Sequence, residues 1–191
     1  MSIQRQATSI LNSFFYKYNA IISKPIFTVK SDKIIVQIFY YTSIDTIDNV
    51  GINGLGNALT RCWKCPIELR LIHVNHPVLD SSILAQYLSA NSHKYSFNRL
   101  FDILKANLPT VVAQGSVDET TVNPTSHITG VRIKLSGRLT TQRAGPRQTV
   151  KANRLGSSAK ESYGITDFSQ YTSKNKLGAF TVKIWVNQQT R

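Results

Sequence analysis

The sequence predicts an α+β protein in two parts, and three observations carry that prediction. Apolar residues recur at helical spacing in three places: Ile10, Leu11, Phe14, Phe15 and Tyr18; Ile83, Leu84, Tyr87 and Leu88; and Phe97, Leu100, Phe101 and Leu104. Between and after them lie stretches of β type, "PIFTVKSDKIIVQIFYY", "PIELRLIHV", "GVRIKLS" and "AFTVKIWV". The charge is also divided unevenly: from Arg132 to Arg191 there are twelve Lys or Arg against Glu161 and Asp167, so this third carries +10 of the formal +13. A 191-residue chain with 41% apolar residues has enough material for one or two packed cores. A pI near 10.0 points to a polyanionic partner, nucleic acid or an anionic surface.

Taken in order, the first 19 residues contain Arg and Ser and no acid, which suits either a mitochondrial presequence or a mature helix. The apolar stripe favours the helix. "PIFTVKSDKIIVQIFYY" then reads as two strands joined at Ser31-Asp32, the second so uniformly apolar that it should be well covered. "GINGLGNALTRCW" reads as a Gly-rich loop running into a short helix, and "PIELRLIHV" as a strand alternating Ile67, Leu69 and Leu71 with Glu68, Arg70 and Ile72. Asp80 is placed to N-cap the helix that follows Pro77, and a second helix runs from about Ser96 to Asn107 before Pro109. A polar linker near 110–127 precedes two further strands. In these, Val131, Ile133 and Leu135, and Phe180, Val182, Ile184 and Val186, face a core, while Arg132, Lys134, Ser136, Thr181, Lys183 and Trp185 face outward. The two strands can lie side by side in an antiparallel sheet.

No catalytic constellation is present: the chain has no Walker loop and no Gly-x-Ser-x-Gly, and Asp167 reads as part of a polar loop with no partner. No apolar run approaches the roughly 20 residues needed to span a bilayer. Cys62 and Cys65 in "CWKC", followed by His73 and His76, could in principle ligate zinc or exchange a disulfide. The spacing between the pairs is short for a zinc finger, and the cysteines lie at the tail of a helix rather than its start. The favoured reading is two ordinary thiols, with no metal, cofactor or small-molecule substrate. Gly51 and Gly54 fit the Gly-x-x-Gly spacing of a KH clamp, and fit a turn equally well.

The strongest chemical signal runs from His127 to Arg154, which contains no acidic residue. Arg138, Arg143, Arg147, Lys151 and Arg154 lie among Gly, Thr, Gln and Asn, residues able to contact phosphate and ribose. With Arg132, Lys134 and Lys183 on the flanking strands they form a candidate RNA-binding set, and the stretch from Ser136 to Arg154 reads as a loop anchored at both ends. Gly137 and Gly145 offer that loop backbone conformations closed to other residues.

"GVRIKLSGRLTTQRAG", matched at Gly130 through Leu139, resembles the signature strand and loop of the third protein of the small ribosomal subunit. "KLGAFTVKIWV" is similar to that family's closing strand at Gly178, Val182, Lys183, Ile184 and Trp185, and "ELRLIHVNHPVLDSSILAQYL" to its last KH strand, turn and helix. The resemblance covers roughly Ile67 to Val186, and the stretch from His76 to Lys105 looks like the divergent mitochondrial form found in fungi. It implies a degenerate KH-like α/β part followed by a second α/β domain, with a helix or extension over 1–24, the KH-like domain over 25–93 and the rRNA-binding domain over 94–191. It further implies a non-enzymatic constituent of the mitochondrial small ribosomal subunit in the matrix. The implied partners are small-subunit rRNA, neighbouring proteins of the subunit head, and mRNA at the entrance. Arg99 and Lys105 are the candidates for mRNA, with Asn98 and Asp102 where bacterial relatives carry more bases. The reading kept open beside it is a free KH-type RNA-binding regulator.

Overall fold

The computed structural model describes residues 3–42, 49–107, 126–139, 150–156 and 164–190. Their contacts divide the chain into two compact units, Met1–Pro77 and Val78–Arg191. The fold is α+β, as the sequence predicts. The division falls at Pro77 rather than at the expected 93/94, because the helix after Pro77 shares its core with the elements that follow it.

In the first unit, α1 (Ile3–Lys17) is followed by β1 (Ile21–Ile22), β2 (Ile26–Val29), β3 (Ile34–Tyr41), α2 (Asn49–Trp63) and β4 (Ile67–His73). β2 and β3 form an antiparallel hairpin from Ile26↔Gln37 to Val29↔Ile34, closed by the Lys30 N–H donating to the Lys33 carbonyl at 2.9 Å. β1 pairs antiparallel with the other end of β3, and β4 pairs parallel with β3 from Ile34↔Ile67 to Tyr40↔His73. This parallel pair is joined by a crossover through α2, as parallel neighbours require. Ala7, Leu11 and Phe15 of α1, Leu55 and Leu59 of α2, and Ile34, Val36 and Ile38 of β3 form one core. Residues 1–24, expected as an extension, thus supply part of that core. On the opposite face Glu68 accepts from Lys33 and Arg70 at 2.6 and 2.8 Å, and these two bonds hold its carboxyl down at a pKa of about 2.

The Gly-rich loop expected at "GINGLG" is a correction: all of it lies inside α2. The reason is helix packing. A Cβ on Gly51 would stand 2.7 Å from the Tyr18 hydroxyl and 3.3 Å from the Phe14 ring, so a glycine there lets α1 approach α2 closely. Gly51 and Gly54 therefore form no loop clamp.

A 3₁₀ turn at Pro77–Leu79 spans the division, and the second unit continues through α3 (Ser81–Asn91), α4 (Phe97–Asn107), β5 (Ser126–Ser136), β6 (Val150–Gly156), β7 (Gly164–Asn175) and β8 (Gly178–Thr190). The four strands form one antiparallel sheet in the order β6-β5-β8-β7. Leu84, Leu88, Phe97, Leu100 and Leu104 of the two helices pack on Val131, Ile133, Leu135, Phe180, Val182, Ile184 and Val186, so the helices cover one face of the sheet. Asp80 caps α3 as expected, its Oδ1 accepting from the Ile83 N–H at 2.8 Å.

Two expectations change here. The segment read as a loop through Arg154 becomes strand at Val150, and Asp167 stands on β7 rather than in a polar loop. Its Oδ2 accepts from the Ser81 N–H at 3.0 Å, which satisfies a second donor at the start of α3. The linker expected near 110–127 lies outside the described residues as far as 125.

Candidate nucleic-acid interface

The face of the second sheet turned away from its helices is set by strand register. Arg132 of β5 pairs with Arg154 of β6 on one side and Trp185 of β8 on the other, and Trp185 pairs in turn with Phe168 of β7. Directly paired residues of an antiparallel ladder project to the same face. Arg154, Arg132, Trp185 and Phe168 therefore make one row across all four strands. The next row is Ala152, Lys134, Lys183 and Gln170, and the one after it Val150, Ser136, Thr181 and Thr172.

The chemistry of this face is narrow in kind. The Arg132 guanidinium lies 5.2 Å from the Trp185 ring centroid, and the Phe168 ring lies 5.0 Å from Trp185 with 35° between planes. Arg132 and Arg154 are exposed, and Lys134, Lys183 and Trp185 are half-buried. In these rows no carboxylate appears among the described residues, since Asp167 of β7 projects to the helix side. Hydroxyls and amides make up much of the remainder: Thr172 and Thr181 share a hydrogen bond at 2.9 Å, and Thr166 donates to Asn187 Oδ1 at 2.9 Å. Cations, planar rings and neutral donors without competing acids are the groups that meet phosphate, base and ribose.

The structure brings together four residues of the expected set, Arg132, Lys134, Arg154 and Lys183. Lys151 is separated from them. Its register partner is Leu135, a core residue, so it projects to the helix side, where it lines an open polar hollow with Asn98 of α4 and Asn153. This corrects the reading of Lys151 and Arg154 as parts of one loop: three residues apart on a strand, they point to opposite faces. Arg138 lies two residues after the end of β5, its carbonyl accepting from Asn175 Nδ2 at 2.8 Å. Arg143, Arg147 and Gly145 lie outside the described residues. Arg99 and Lys105 are exposed on α4, with the Arg99 guanidinium 5.7 Å from the Tyr95 ring centroid. Cys62 is half-buried and Cys65 exposed, and no group of three or more potential metal ligands occurs among the described residues.

Phe168 is not legible in the sequence because β7 carries no apolar alternation. Its helix-side positions include Asp167 and Ser169, which contribute a helix cap and a small buried group instead of bulk. Alternation along the last strand turns Trp185 outward, but its place between Arg132 and Phe168 depends on register, which appears only once strands are paired.

Comparison with known proteins adds two findings. A family model described as "Mitochondrial ribosomal protein (VAR1)" matches residues 20–189. The chain is also similar to the small ribosomal subunit protein uS3m of Mycosarcoma maydis, at 31% identity over 191 aligned positions covering 88% of this chain and 68% of the relative.

Proposed function

The chain belongs to the VAR1 family of mitochondrial ribosomal proteins, and from that premise we propose that it binds small-subunit rRNA through the outer face of its second sheet. The protein is a structural constituent of the mitochondrial small ribosomal subunit. The family expected from Gly130–Leu139 and Gly178–Trp185 is the family found. Where on the subunit the chain sits is part of the proposal: in the head, beside neighbouring head proteins, with Arg99 and Lys105 of α4 turned toward mRNA at its entrance.

One observation carries the rRNA reading. In successive outward registers the sheet sets cation opposite cation, Arg132 against Arg154 and Lys134 against Lys183. Like charges directly opposite across strands destabilise a sheet. A polyanion turns that liability into binding energy, because each cation placed on a phosphate releases condensed counterions. A free regulator would bind through a similar face. It differs in that it would not stay with small subunits at high salt.

The test is charge reversal, Arg132→Glu with Lys183→Glu in the full-length chain. Each change replaces a like-charge pair by an opposite-charge pair, so the free protein should melt no lower than the parent. Affinity for rRNA should fall by at least about 2–3 kcal/mol at fixed salt, since charge-assisted contacts become repulsive. Co-sedimentation with small subunits should fall with it. Parental affinity and parental assembly would reject the face as the rRNA contact.

A further inference from the structure

Resting on the reading above, we propose that the same face holds one unpaired RNA base, stacked on the open side of Phe168 at the sheet's edge. The row Arg154, Arg132, Trp185, Phe168 runs from cations at one end to rings at the other. Its spacings of 5.2 Å from Arg132 to Trp185 and 5.0 Å from Trp185 to Phe168 are close to the strand separation of about 4.7–4.9 Å. The groups thus stand side by side on successive strands, each planar group against the next. Among the described residues β7 is the last strand in the order β6-β5-β8-β7, so the described sheet supplies no side chain beyond Phe168. Phe168 is 45% exposed, and a planar group placed on its ring continues the row.

The surroundings of Phe168 select the occupant. Its neighbours on the same face of β7 are Thr166 and Gln170, and on β8 the adjoining residues are Lys183 and Asn187. Large exposed apolar residues of β7, Ile165 and Tyr171, alternate onto the other face. Two adjacent rings, Phe168 and Trp185, set among hydroxyls, amides and cations are a poor anchor for a protein partner, whose contact cores are broad and depleted in charge. It suits a base, which offers a π-face to the ring and polar edges to Thr166, Gln170 and Asn187. The attached phosphates then fall toward Lys183, Arg132 and Arg154. Bases inside an A-form helix present no free face, so the occupant is a base from a loop, bulge or single-stranded stretch.

The experiment measures binding of the full-length chain to a short fluorescein-labelled oligoadenylate and to a blunt RNA duplex with the same number of phosphates, at one salt concentration. Phe168→Ala should weaken the single strand about tenfold and leave the duplex nearly unchanged, since stacking of one base is removed and no phosphate contact is lost. Phe168→Tyr should bind the single strand as the parent does, whereas Phe168→Leu, which keeps apolar bulk without a ring, should behave like Phe168→Ala. Parental binding of the single strand by the Ala and Leu variants, or an equal loss on both probes, would overturn the proposal. So would exclusion of Phe168→Ala from small subunits with its oligoadenylate affinity intact, which would identify Phe168 as a protein contact. The Arg132→Glu, Lys183→Glu variant separates the two levels. If it binds both probes like the parent, the RNA-binding reading of the face fails. If it loses both while Phe168→Ala loses neither, only the stacked base is wrong.

Discussion

Gly137 shows how one residue sets the geometry of the interface. It stands directly after β5 with φ at +108°, and a Cβ there would lie 2.7 Å from the Ala179 carbonyl oxygen and 2.8 Å from the Phe180 Cα. Both obstacles are backbone, so neither can rotate away. Gly137→Ala should cost on the order of 1–3 kcal/mol through the left-handed backbone alone, and more if β8 must shift. The expected result is a clearly lower melting temperature, read by circular dichroism; an unchanged melt would mean that the β5–β8 pairing yields easily. This need for a glycine was legible in the sequence, where Gly137 follows a strand and opens a base-rich stretch. The use of Gly51 was not. Its neighbours Phe14 and Tyr18 are more than thirty positions earlier, and only the packed helices show that its missing side chain is what matters.

At the scale of elements, two carboxylates cap the start of α3, and one of them ties it to the sheet. Asp80 accepts from the Ile83 N–H, and Asp167, from β7, accepts from the Ser81 N–H. Both sit at the positive end of the helix dipole, where negative charge is favoured. Asp80→Ala and Asp167→Ala should each destabilise by about 0.5–2 kcal/mol, the range for a lost N-cap. Asp167→Asn, which keeps an acceptor and loses the charge, should cost less than Asp167→Ala. Chemical denaturation would measure this, and equal losses for the Asn and Ala variants would show that the Oδ2 bond contributes little. The Asp80 cap could be read from the sequence because it is local. The Asp167 bond, spanning 86 positions, could not. The strands divide in the same way. β5 and β8 were legible because a central strand shows its buried face as regular alternation, Val131-Ile133-Leu135 and Phe180-Val182-Ile184-Val186. The edge strands hide that signal, since β6 turns Lys151 and Asn153 to the helix side and β7 turns Asp167 and Ser169. Half of the candidate face, Arg154 and Phe168 included, stands on strands that alternation does not reveal.

For the whole molecule, the proposed rRNA face assigns the uneven charge different roles in the two units. The second carries the cation-on-cation face, whereas the first pairs some of its cations with an acid of its own, as where Lys33 and Arg70 both bond Glu68. Cations that meet phosphate release counterions, and those that merely raise the net charge do not, so the dependence of affinity on salt separates the two kinds. The comparison is between two full-length variants that lose equal charge: Arg132→Gln, Lys134→Gln and Lys183→Gln on the sheet face, and Lys24→Gln, Lys30→Gln and Arg61→Gln, all exposed in the first unit. Each lost phosphate contact should lower the slope of log affinity against log salt by about 0.7–0.9, so the first variant should drop by roughly two units and the second should keep the parental slope. Long-range attraction alone would act through net charge and lower both curves alike. Equal slopes for the two variants would therefore mean that rRNA responds to the protein's overall positive field, with no fixed set of contacts on the outer face of the sheet.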